Sequence, residues 1–116
     1  MLEPEDIYTK LKDAGYRMHP DMKDNLERSF RILPQMIVEA EVDEMARVVD
    51  ESPYSEQAYL VEDKEHRAAV LLMQDAKGRY QIDHVVLALE ADFSDIVFLL
   101  EEVLHGHDKA GYVLVE

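Results

Sequence analysis

A chain of 116 residues, 47% of them apolar, is long enough to build one ordinary core without covalent staples, and a single α+β domain over 1–116 is expected. Its 26 acidic residues against 12 basic ones give a net charge of −14, a field that repels nucleic acid and anionic membrane and favours encounter with a basic surface. The lack of cysteine excludes disulfides, thiolate metal sites and a cysteine nucleophile, and no apolar run approaches the ~20 residues of a membrane span, so an unsecreted, cytoplasmic protein is expected.

Three helices are predicted first. Pro4 suits an opening helical turn, Glu5 and Asp6 suit its positive end and Gly15 its stop, which gives a helix over roughly 4–14 with Ile7, Leu11 and Ala14 on one side. A second begins near Pro20 and Asp21, with Met22, Leu26, Phe30 and Leu33 on one stripe and Pro34 as its limit. The third, about 35–50, turns Val38, Val42, Met45 and Val49 inward and leaves Glu39, Asp43, Glu44, Arg47 and Asp50 outside. Residues 52–55 (SPYS) break the helical pattern, and short apolar runs follow.

Residues 57–62 read as a strand leading to a β-hairpin at 67–90, the centre of an antiparallel sheet. In the loop 75–78, Asp75 suits the first turn position and Gly78 supplies the left-handed conformation that closes a three-residue loop. A uniform register from that loop sets Leu72 opposite Ile82, Leu71 opposite Asp83, Val70 opposite His84 and Ala68 opposite Val86. Alternation then assigns Ala68, Val70, Leu72, Tyr80, Ile82, His84 and Val86 to one core face. The opposite face is polar near the turn and apolar at the base (Ala69, Leu71, Val85, Leu87, Leu89), where a further element or a partner should cover it. Asp92 caps a broadly apolar helix over 93–105 that stops at Gly106 and packs on the sheet, and 111–115 (GYVLV) form a short terminal strand.

No phosphate-cradling loop can be written from the four glycines, and no Ser, His and acid set converges on a covalent mechanism, so no cofactor is expected. Glu101, His105, and His107 or Asp108 form the single candidate group of metal ligands, Glu101 lying one helical turn before His105. A polar loop after a helix C-terminus accounts for the same residues, and the spacing differs from recognised zinc signatures, so no metal is the preferred reading. His84 reads as a satisfied core or rim histidine, and the tyrosines at 54, 59, 80 and 112 as strand and turn residues before interface ones.

Charge placement carries the functional expectation. Residues 32–66 hold 10 acids against Arg47 and Lys64 alone, −8 of the −14 total. Glu39, Glu41, Asp43, Glu44, Asp50 and Glu51 are therefore the candidate contact surface of a non-enzymatic, acidic protein-binding module for a basic protein partner, without direct contact to nucleic acid or membrane. Acidity and small size are similar to those of bacterial immunity proteins, antitoxins and phage-encoded inhibitors, a likeness of composition that names no site. An inhibitor or immunity-type protein for a nucleic-acid-handling protein is one concrete form. The rivals are a small-ligand or metal-binding protein using a pocket near 101–108, and an accessory subunit or homodimer joined through the hairpin base.

Overall fold

A computed structural model describes residues 2–107, with side chains described through Glu102. The fold is α+β, and the hairpin at its centre closes as the loop chemistry requires. Gly78 sits at φ +78, the backbone N–H of Gly78 donates to the Asp75 carbonyl at 3.0 Å, and that of Asp75 donates to the Arg79 carbonyl at 2.7 Å. The Asp75 carboxylate accepts from the backbone N–H of Arg79 (2.9 Å) and Lys77 (2.8 Å) and from Arg79 Nε (3.1 Å). These donors, the Arg79 backbone first, hold its pKa below the ordinary carboxylate value.

The flanking strands are β3 (Ala68–Gln74) and β4 (Tyr80–Ala88), and Met73 faces Gln81 and Leu72 faces Ile82 as predicted. There the uniform register fails. Leu71 faces His84 instead of Asp83, Val70 faces Val85, and Ala68 faces Leu87, so Asp83 is the extra residue of a β-bulge. The cause lies across the other side of β4. The Ile82 N–H donates to the Arg17 carbonyl (2.8 Å) and its carbonyl accepts from the His19 N–H (2.9 Å), whereas from Val85 onward β4 pairs with a different strand, β1 (Phe30–Leu33). The bulge falls where β4 changes neighbours. Beyond it, Val85 and Leu87 point into the core that holds Leu72 and Ile82, and Val86 joins Ala69 and Ala88 on the opposite face. His84 and Val86 thus lie opposite to their predicted face.

The complete sheet has the order β1-β4-β3-β2, with β2 (Ala58–Glu62) antiparallel to β3 and β1 parallel to β4. It is mixed, not wholly antiparallel. β1 itself replaces the second half of the second predicted helix: a 3₁₀ turn (Pro20–Asp24) and a four-residue helix α2 (Leu26–Ser29) lead into it. Met22 and Phe30 are nevertheless buried, because short separate elements also satisfy that spacing. The open edge of β4 offers Phe30–Leu33 a ladder of backbone partners, and tertiary pairing outweighs a weak local helix preference.

Helices α1 (Pro4–Asp13) and α4 (Phe93–His107) share one side of the sheet, where Ile7, Leu11, Ile96, Leu99 and Leu100 close over Leu72 and Ile82. Glu3 and Asp6 form a reciprocal capping box at the start of α1. Asp92 accepts from the Ser94 N–H (3.0 Å) while its own N–H donates to Asp95 (2.9 Å), which fixes the start of α4. The helix runs through Gly106 to His107, since glycine halts a helix only when it turns left-handed and otherwise costs about 1 kcal/mol inside one. Phe98 is 59% exposed, so the breadth of apolar residues on α4 is not matched by burial all round. On the other side, α3 (Gln35–Asp50) lays Val38 and Val42 on Ala69, Val86 and Ala88, and so covers the hairpin base from within the chain. The predicted strand at 111–115 lies outside the described residues. Among the described residues, no helix is long and apolar enough to cross a membrane.

Candidate functional site

Helical spacing sorts the six candidate acids of α3 and its C-cap into two flanks. Glu39, Asp43 and Asp50 follow one side, Glu41, Glu44 and Glu51 the other, and Met36, Ala40 and Arg47 run along the crest between them. The three carboxylates of the second flank are each ion-paired, with two guanidiniums shared among them. Arg31 Nη1 reaches Glu41 Oε1 at 3.1 Å, and Arg47 holds Glu44 (Nε to Oε2, 3.1 Å) and Glu51 (Nη1 to Oε2, 3.0 Å). The Arg47 hydrogen bonds lower the Glu44 pKa, and the two carboxylates raise that of Arg47. Such exposed pairs add little stability, but they occupy the charges a partner would need.

The first flank is different. Asp43 and Asp50 are exposed and make no ion pair among the described residues, and Glu39 meets only His66, at 3.8 Å. His66 closes the β2–β3 turn at φ 57, where its Nδ1 lies 2.8 Å from Glu62 Oε1. The Glu62 hydrogen bond first, and then the charges of Glu39, Glu62 and Asp63, raise the His66 pKa. The six-residue surface read from the sequence is therefore one open anionic row and one closed network.

A second feature escapes the sequence. The inner stripe of α3 is fully buried at Val38 and Val42 but only half-buried at Met45 and Val49, with Val48 beside them 54% exposed. Although Met45 still packs against the cluster of Val42 and Val86, the C-terminal half of the helix is less completely covered than the first half. Beneath it opens a cleft of about 480 Å³ floored by Leu71, His84 and Val86 and edged by Arg28 and Arg31. His84 Nδ1 lies 2.5 Å from Asp83 Oδ2; since a carboxylate only accepts, the ring is the donor there. The bulge puts His84 in this cleft, and a second hollow lined by His19, Ser29 and Asp83 adjoins it past Arg28.

The predicted metal candidates divide at the end of α4. Glu101 is exposed, and its charge adds to burial in raising the Tyr16 hydroxyl pKa. His105 and His107 belong to the same helix, their side chains lie outside those described, and Asp108 lies beyond the described residues. Among the described residues, no three His, Asp or Glu side chains gather closely enough to hold an ion. Of the tyrosines, Tyr59 and Tyr80 pack edge to face at 6.3 Å as cross-sheet neighbours, and Tyr54 stands exposed after α3.

The chain matches no protein-family model, no curated protein and no solved structure. The chemistry of these surfaces is therefore what bears on function.

Proposed function

We propose that this chain is a non-enzymatic, cytoplasmic, acidic protein-binding module that engages a basic protein through the Glu39, Asp43 and Asp50 flank of α3. The observation that carries this reading is the asymmetry between the flanks: the acids on one are matched by Arg31 and Arg47, while Asp43 and Asp50 have no cation among the described residues. Rows of like charge on a rigid helix cost self-repulsion, and a complementary cationic surface relieves it while steering encounter. Met36, 87% exposed on the adjoining crest, supplies an apolar contact beside the charges. An inhibitor or immunity-type protein directed at a nucleic-acid-handling protein has this chemistry, because such a target presents a basic surface.

Reversal of Glu39, Asp43 and Asp50 to Lys is the test. Their side chains leave the buried stripe untouched, so the thermal transition shifts little, while association with the native partner slows and loses much of its salt dependence. Association that ignores both the reversal and the salt concentration would remove this surface from consideration.

A further inference from the structure

We infer that the cleft between the C-terminal half of α3 and the sheet binds a small amphipathic anion, its apolar tail beneath Met45 and Val49 and its head group at Arg28. The cleft holds about 480 Å³ over a mainly apolar floor, within the ~300–1,000 Å³ range of small-molecule sites. The burial of α3 is unfinished above it. Val38 and Val42 seat fully on the sheet, whereas Met45 and Val49 on the same stripe stay partly exposed and line the cleft together with the buried Leu71 and Val86. A tail inserted there would complete that burial at a gain of roughly 25 cal/mol per Å² of apolar surface.

Charge selects the head group. In a chain of net charge −14, Arg28 is exposed at the cleft edge and makes no ion pair among the described residues. Beside it stands Arg31, whose Nη1 is engaged by Glu41; the other acid of the wall, Glu44, is engaged by Arg47. The acids of the wall are thus already matched, and Arg28 is the charge left over. A guanidinium presents a planar fork of donors suited to a carboxylate or phosphate. His84, held through Nδ1 by Asp83, has no Nε2 partner among the described residues and adds a polar group to the floor. This site lies on the side of α3 away from Glu39, Asp43 and Asp50, and it stands or falls independently of the proposed protein partner.

The test is titration of the intact chain, followed by NMR, with octanoate, octyl phosphate and octyltrimethylammonium. Saturable shifts at His84, Leu71 and Val49 with octanoate or octyl phosphate are expected, and the tighter of the two names the head group. Arg28→Gln, an exposed change that leaves the core intact, should weaken that binding about tenfold or more, the loss of one charge-assisted hydrogen bond. Three results would overturn the inference: no saturable shift at these residues with either anion, equal binding of octyltrimethylammonium, or full affinity in Arg28→Gln.

Discussion

Alanine substitution at two valines of one helical stripe should give unequal costs. Val42 is 2% exposed between α3 and the sheet, whereas Val49, two turns on, is partly exposed. Val→Ala removes two methylene equivalents, which at about 0.8 kcal/mol each amounts to about 1.6 kcal/mol of transfer where burial is complete. At Val42 a cavity cost of about 24 cal/mol per Å³ of unfilled space adds to this, and the better helix propensity of alanine returns about 0.5 kcal/mol. The net loss for Val42→Ala is about 1–2 kcal/mol. At Val49, which is only partly exposed, about two thirds or more of the transfer applies, solvent fills the gap without a sealed cavity, and the propensity gain offsets part of it, so Val49→Ala costs about 0.5–1 kcal/mol. Urea unfolding followed by circular dichroism resolves this difference as a shift in midpoint at constant slope. Equal losses at both positions would mean that α3 seats evenly along its length and that the cleft beneath its second half does not exist.

The hairpin and the His66 turn give two further expectations. Gly78→Ala should destabilise by about 1 kcal/mol, because no atom crowds the added methyl group and the whole cost is that of a left-handed backbone at φ +78; Gly78→Asn should lose less, and a melt unchanged by both would show that the loop does not need this conformation. His66 should titrate above its ordinary value of 6.5, mainly through Glu62, and its midpoint in an NMR titration should fall in Glu62→Gln more than in Glu39→Gln. Since the folded pKa is the raised one, the contribution of this contact to stability is fully present below the unfolded value and fades as pH rises through the folded one. A midpoint unchanged by Glu62→Gln would discount the contact.

Local chemistry was legible and remote pairing was not. The loop 75–78, the pairing of Leu72 with Ile82, the Asp92 cap and the α3 stripe each depend on residues a few positions apart, and each appears where the residue types require it. The bulge at Asp83 depends on which segments flank β4, namely Arg17 to His19 and then Phe30–Leu33, and both are more than 50 residues away in the chain. That single extra residue moved His84 and Val86 to the other face and hid the cleft. Phe30–Leu33 reads as helix because Met22, Leu26, Phe30 and Leu33 fit a period of 3.6, whereas its partner strand is visible only in the fold. The division of the acids was partly available: Glu44, Arg47 and Glu51 stand at i−3 and i+4 spacing, a recognisable helical network, but the Arg31–Glu41 pair bridges two elements and needed the structure.

The most direct measurement is a comparison of the two flanks. Intact protein carrying Glu39→Lys, Asp43→Lys and Asp50→Lys, and a second protein carrying Glu41→Gln, Glu44→Gln and Glu51→Gln, are each used beside the unaltered chain to recover partners from the native host at low and at high salt. A basic protein should be retained at low salt by the unaltered chain and by the second variant, lost from the first, and released from all at high salt. Retention of the same protein by the first variant together with its loss from the second would contradict the assignment of the contact to the Glu39, Asp43 and Asp50 flank.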